Sequence, residues 1–337
     1  MKSVLLTSVA ILALGTTAGF AQTRDTIQIA GSSTVLPFSS IVAEEFGADF
    51  PEFRTPVVGS GGTGGGFRQF CEGVGDNTID IANASRPIRD AEREVCVANG
   101  VNDIREVQFG YDGIVFATSV NNGDFALLPE HVYKAIAARI VVDGELVDNP
   151  YTSWAEVDAS LPDQPIALAI PGSNHGTREV FQERVIAPGF ETLESELPEG
   201  LSEDEIAALE TQFRQDVVVE IAGDYTETLA RLQSNPNTIG VFGLSFYDQN
   251  RDTLKVATVD GVTPSLETVA AGEYPVSRPL YFYVKGEHLG AIPGLQEYVE
   301  FFLSDRMIGL GGTLENAGLI PQPEDETEAA RAAFAGQ

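Results

Sequence analysis

Four short stretches combine hydroxyl side chains with exposed backbone amides, the donors that hold a small tetrahedral anion. In Ser60-Gly61-Gly62-Thr63-Gly64-Gly65-Gly66, five glycines in seven positions leave the N–H groups unshielded. A helix-like stretch from Phe67 to Cys71 follows, with its partial positive end toward the loop. A flexible linker has the same composition, but the same plan recurs three more times. Gly31-Ser32-Ser33-Thr34 follows an alternating strand, Thr26 to Ala30, and precedes a helix marked by Pro37 and an apolar face of Phe38, Ile41, Val42 and Phe46. An ordinary N-cap needs one hydroxyl, and here there are three. Asn83-Ala84-Ser85-Arg86-Pro87 follows the strand Ile79–Ala82. Arg86 there is either a surface ion-pair partner or a bidentate contact for a phosphoryl group. Pro171-Gly172-Ser173-Asn174-His175-Gly176-Thr177 joins the strand Pro165–Ile170 to a helix starting near Arg178.

Two further residues could act on such an anion. Asp112 lies in the apolar run Val107–Phe116, where it either shapes a turn with Gly113 or accepts the proton of a protonated anion. His175 is either structural or a cationic contact; as an imidazolium ligand it makes affinity fall as pH rises past about 6.5.

The elements that position these residues read as an α/β fold, strand–loop–helix repeated along the chain. Val107–Phe116 and Arg278–Val284 read as strands crossing between two lobes. Residues 191–216 read as an acidic, solvated helical insertion, with Ser202 and Glu205 as a capping box. A last helix is expected over about Leu295–Leu310, and a surface or frayed segment after Pro323.

The start of the chain reads as a secretory signal: Lys2, an apolar run from Val4 to Leu14, then Gly19-Phe20-Ala21, with cleavage expected after Ala21. No later run approaches the length of a membrane span. The formal charge is −30, and loss of Lys2 with the signal makes it −31, which argues against nucleic acid and anionic membranes as partners. Anion binding is compatible with this charge, because donors in a cleft act at short range while surface charge is screened beyond about 8–10 Å. In an oxidising compartment Cys71 and Cys96 favour one disulfide between neighbouring helices, with two separate buried thiols as the alternative. Two cysteines and three scattered histidines give no metal-ligand spacing.

Taken in order, Gly31-Ser32-Ser33-Thr34, Ser60 to Phe67, Asn83-Ala84-Ser85-Arg86-Pro87-Ile88 and His175-Gly176-Thr177 resemble the periplasmic phosphate-binding protein of bacterial phosphate ABC transporters. The resemblance runs over nearly the whole mature chain. It implies a two-lobed periplasmic binding protein of type II, with two crossovers and a ligand cleft between the lobes. Lobe 1 is then 22–113 plus 274–337 and lobe 2 is 114–273, after a signal peptide over 1–21. It further implies a non-catalytic, cofactor-free monomer that binds inorganic phosphate tightly and delivers it to an inner-membrane ABC permease.

Carried over by motif, Ser33, Thr34, Ser60, Gly61, Thr63, Gly176 and Thr177 are expected at the phosphate, with Ser32, Ser85, Arg86, Asp112 and His175 completing the set. The chain departs from the family in three places. His175 replaces a hydroxyl donor common there, Arg86 stands where Ala-Ser-Asp members have a carboxylate, and Pro171 falls where other members have an arginine. The changes can compensate: Arg86 supplies the positive charge, and Asp112 becomes the acceptor that tells protonated phosphate from sulfate.

Rival readings are weaker. Gly59-x-Gly61-x-x-Gly64 with Asp80 formally matches a dinucleotide fingerprint, but Asp80 lies inside its strand and the chain carries a secretory signal. A serine hydrolase wants a nucleophile elbow and a phosphatase wants clustered metal ligands, and neither pattern is present. Arsenate, sulfate and molybdate or tungstate receptors remain the alternatives within binding proteins. A structural or adhesive secreted protein would not require four anion-shaped loops.

Overall fold

The computed structural model describes residues 24–172, 176–222 and 225–335. The expected signal segment and cleavage site lie outside the described residues, as do Ser173, Asn174 and His175.

Three short parallel strands open the chain: β1 (Gln28–Gly31), β2 (Val57–Ser60) and β3 (Ile81–Ala84), paired in the order β2-β1-β3. Each feeds a helix: α1 (Leu36–Asp49), α2 (Gly62–Phe70) and α3 (Asp90–Ala98). Strand alternation sends Ile29 and Ile81 into a core with Phe38, Phe46 and Phe302. Ala30, Ala82 and Ala84 face a smaller core holding Phe67, Phe70 and Tyr283. Small residues on that side let α2 lie close. A Cβ on Gly66 would come within 2.6 Å of the Gly31 Cα. Helix α2 therefore begins at Gly62, inside the glycine run that reads as a loop through Gly66. The expected disulfide joins Cys71, just past α2, to Cys96 of α3.

The sixteen-residue β4 (Ile104–Ser119) then crosses the molecule. Beyond it come β5 (Ala126–Leu127), α4 (Pro129–Ile136), β6 (Arg139–Val142), β7 (Glu145–Asp148) and α5 (Trp154–Val157). Next are β8 (Leu168–Pro171), α6 (Gly176–Phe181), a π-helical turn at Gln182–Ile186, α7 (Ala187–Glu194) and α8 (Glu203–Thr211). The series closes with β9 (Val218–Ile221), α9 (Tyr225–Ser234), β10 (Ile239–Gly243), β11 (Leu254–Val256), β12 (Thr258–Val259) and β13 (Ser277–Lys285). The main sheet runs β2-β1-β3-β13-β4-β10-β8-β9, with β11 also on β4. Its outer wings are parallel and its middle, β3-β13-β4-β10, is antiparallel. The first half of β4 pairs with β13, and the second half with β10 and β11. These two long strands are the two crossings expected from the sequence. A second large core, with Phe116, Trp154, Phe181 and Phe242, sits under the far wing.

Asp112-Gly113 does not break β4. Asp112 pairs across to Arg278, Gly113 to Ser277, and the irregularity falls at Phe109, between the Gly110–Leu280 and Gln108–Tyr281 pairs. The cause is the C-terminal segment, which crosses here: Tyr111 and Ile320 exchange two backbone hydrogen bonds at 2.8 and 2.9 Å. A Cβ on Gly110 would lie 2.8 Å from the Ile320 oxygen. The acidic stretch 191–216 keeps its Ser202–Glu205 capping box, but Phe190 and Leu209 are buried beside Tyr133 of α4. Its acidic side is solvated and its apolar side belongs to the far core. The expected helix 295–310 divides into Leu295–Phe302 and Asp305–Ile308. The tail helix Glu324–Ala335 is docked by buried Phe334, over which Arg105 lies.

At the edge of the first wing away from the loops, a buried charge network includes Asp80, Arg24, His288 and Lys285. The Lys285 ammonium donates to Gly73 O at 2.6 Å and Thr78 Oγ1 at 2.7 Å. Burial brings its pKa down to about 8, with Asp80 pulling the other way. Between about pH 8 and 10.5 the unfolded chain holds a proton that the folded chain has released, so this group makes stability rise with pH in that window. Urea denaturation of wild type and Lys285→Met at about pH 7.5 and about pH 9.5 should show wild type gaining on the variant as pH rises.

Candidate functional site

The loops after β1, β2 and β3 gather at one edge of the first wing, and α6 faces them from the other wing. In the first loop, Ser32 is buried and its Oγ accepts the Thr34 N–H at 3.2 Å, so this hydroxyl holds the loop in shape. Ser33 and Thr34 point instead across to α6. Thr34 Oγ1 donates to Glu179 Oε2 at 2.5 Å and Ser33 Oγ donates to the same oxygen at 3.3 Å. Thr34 Oγ1 in turn accepts a hydrogen bond from Arg278 Nη2.

Arg278 is the main residue that the sequence reading did not place at the site. It stands on β13, 2% exposed. Its Nη1 meets Glu183 Oε2 at 2.6 Å, its Nη2 lies 3.5 Å from Glu179 Oε2, and its Nε lies 3.8 Å from Asp112 Oδ2. Glu183 reaches it from the π-helical turn, whose widened register re-aims side chains relative to an α-helix. Arg278 Nε and Asp112 Oδ2 are buried and have no hydrogen-bond partner among the described residues. Burial pushes the Asp112 carboxyl above the usual range, and the Arg278 charge opposes that rise.

The second and third loops meet at Thr63. Its Oγ1 accepts the Ser85 N–H at 3.1 Å and lies 3.2 Å from Ser85 Oγ. Ser60 and Gly61 are exposed at the end of β2. Arg86 is engaged by its own segment: it makes a fork of 2.7 and 2.8 Å hydrogen bonds to Glu92 and stacks over Phe67 at 5.6 Å. Glu92 also caps α3 by accepting the Arg89 N–H at 2.9 Å. Burial works against the Glu92 charge, but Arg86 and that N–H hold its carboxyl below the usual range. The Glu92 hydrogen bond raises the Arg86 guanidinium further. Arg86 still lines, with Thr63, Gly64, Ser85, Arg89, Glu179, Glu183 and Arg184, a cleft of about 410 Å³ between the wings. Three arginines and two glutamates line it, a concentration of positive side chains in a chain of charge −30, although the Arg86 charge is met by Glu92.

In the fourth loop, Gly176 begins α6 and Thr177 is buried, hydrogen-bonded to Tyr225 of α9. Tyr225 was not expected at the site. Its hydroxyl lies near enough to Asp112 to feel that charge, and burial, with Asp112 adding to it, raises its pKa. His175 lies outside the described residues. Arg178 braces the strand that leads into this loop, donating to Pro171 O at 2.9 Å, pairing with Glu220 and stacking on Phe213. Among the described residues no group of His, Cys, Asp or Glu has the arrangement of a metal site. No described helix is long and apolar enough to cross a membrane.

A mixed α/β sheet with two wings joined at two long strands, and polar loops gathered at the strand ends between them, is the architecture of a two-lobed type II binding protein. A family model described as the PBP superfamily domain matches residues 16–306, and the chain belongs to that family. Protein SphX of Synechocystis sp. is 32% identical over 335 residues, covering 96% of this chain and 87% of that protein. The phosphate-binding protein PstS of Staphylococcus haemolyticus is 30% identical over 299 residues, covering 87% of this chain and 80% of its own length. Among solved structures, a possible phosphate binding protein from Planctomyces limnophilus superposes with a TM-score of 0.72 at 28% identity, over 92% of this chain and 98% of that one.

Proposed function

We propose that the chain is a periplasmic receptor for inorganic phosphate, working after loss of residues 1–21 and delivering its cargo to an inner-membrane ABC permease. The observation that carries this reading is the convergence of Thr34, Ser33 and the buried Arg278 on one carboxylate oxygen, beside the arginine-lined cleft. Those are the donors an oxyanion needs, with Thr34 and Arg278 buried and Ser33 at the exposed side. The names of the PstS and Planctomyces relatives support phosphate as the anion. Thr63, Ser85 and the 176–177 turn extend the donor set to the other phosphate oxygens, with Ser60 and Gly61 at its rim. Asp112 accepts a hydrogen bond from the protonated anion, and Arg86 adds charge while staying on Glu92. The lobes, 22–113 plus 274–337 and 114–273, close about the two crossings. Binding and release need no bond chemistry, so no catalytic role is assigned.

The test is calorimetric titration of protein stripped of anion by unfolding and refolding. One-to-one phosphate binding with sulfate ignored is the expected result. Preference for sulfate or molybdate, or failure to bind any oxyanion, overturns the reading. If wild type loses affinity past about pH 6.5 and His175→Gln does not share that loss, His175 is assigned to the anion; parallel profiles remove it from the set.

A further inference from the structure

Glu179 is not explained by phosphate binding alone. It stands on α6, while the three groups that hold its Oε2 belong to the β1 loop and to β13. A carboxylate oxygen and a phosphate oxygen compete for the same partners, hydroxyl protons and a guanidinium edge. Thr34 has one hydroxyl proton. Its oxygen already accepts from Arg278, so that proton is committed to Glu179. An oxyanion and Glu179 cannot both take it.

Resting on the phosphate reading above, we propose that Glu179 is an internal competitor for the anion's donors, so that phosphate binds by exchange with a carboxylate of the protein itself. Arg278 is built for such an exchange. Its Nη1 stays anchored on Glu183 at 2.6 Å, while Nη2 is shared at the longer distance of 3.5 Å and Nε has no hydrogen-bond partner among the described residues. A destination for the displaced carboxylate is at hand. Arg184 lines the same cleft and makes no ion pair among the described residues. The competitor also bridges the wings, so the contact that lowers affinity is one that draws the two lobes together. Its effect on affinity follows from occupancy: a competitor that holds the donors nine-tenths of the time weakens apparent binding about tenfold.

The test compares wild type with Glu179→Gln and Glu179→Asp by calorimetric titration with inorganic phosphate and with sulfate. Glu179→Gln removes the charge, and Glu179→Asp keeps it on a stem one methylene too short to reach Thr34. Both are expected to bind phosphate about tenfold or more tightly than wild type and still to reject sulfate. Equal or weaker phosphate affinity in both variants overturns the proposal. So does weaker phosphate binding with a gain of sulfate binding in Glu179→Gln, which would make Glu179 the acceptor of the anion's proton. Failure of wild type to bind any oxyanion is a separate outcome, and it removes the phosphate reading and this proposal together.

Discussion

Arg278→Met is expected to raise the phosphate dissociation constant by about a hundredfold to a thousandfold while leaving a folded protein. Hydrogen bonds to charged groups contribute about 1.5–3 kcal/mol each, and a guanidinium presents two in one plane. Two such bonds at the lower part of that range amount to about 3–4 kcal/mol, and each 1.4 kcal/mol is a factor of ten. The structural cost is smaller than the burial suggests. Without Arg278 the buried Asp112 loses the one charge that opposes its raised pKa, and it can relax by taking up a proton. Glu183, more than half exposed, returns to water. Arg278→Lys separates charge from shape: it keeps the cation and loses the fork, so its affinity should fall between the two. Calorimetry gives the affinities, and circular dichroism shows whether each variant is folded. A variant Arg278→Met that is folded and binds phosphate as wild type does would remove Arg278 from the site.

The second large effect concerns stability. Replacing both Cys71 and Cys96 by alanine should lower unfolding free energy by about 3 kcal/mol, because the bridge closes a loop between residues 25 apart in sequence. Both sulfurs sit in the small core with Phe67 and Phe70, so the alanines also give up packing there. The loss should appear as a lower urea midpoint with an altered slope, since an uncrosslinked denatured chain expands further. Phosphate affinity should change little, because the bridge ties the far ends of α2 and α3, away from Thr34 and Arg278. A strong affinity loss in a folded double variant would mean that the bridge sets the second loop's geometry.

Much of this site can be read from residue order, and the part that cannot has a physical cause. The loops at Gly31 and Ser60 are recognisable because hydroxyls and glycines stand between a strand and a helix, a local pattern. The disulfide was legible from cysteine number and the secretory signal. Arg278 was not, because it lies in an alternating stretch, Arg278 to Val284, whose register explained every other residue as strand. The available signal was a charged side chain on the apolar phase of that strand, in line with Leu280 and Phe282. Arg86, next to Ser85 at a strand end, reads either as an ion-pair partner or as an anion ligand, and Glu92 six residues on is positioned by the start of α3 to take both arms of its guanidinium. Glu179 and Glu183 are ordinary helix residues in sequence, and only the packing of α6 and the π-helical turn after it across the cleft brings them to Arg278. The strand order within the α/β fold is not legible for a similar reason: each strand–loop–helix unit is local, while the antiparallel middle follows from how the chain returns along β13.

The proposed oxyanion site lies where Thr34, Ser33 and Arg278 converge. Arsenate is isosteric with phosphate, and its arsenic scatters anomalously, so a crystal of the refolded protein grown with arsenate locates the anion directly. One anomalous peak is expected within hydrogen-bond reach of both the Thr34 hydroxyl and the Arg278 guanidinium, with the Glu179 carboxylate moved off both. A peak held instead by Arg86, Arg89 and Arg184 with Glu179 still on Thr34, or no peak in the cleft at all, would contradict it.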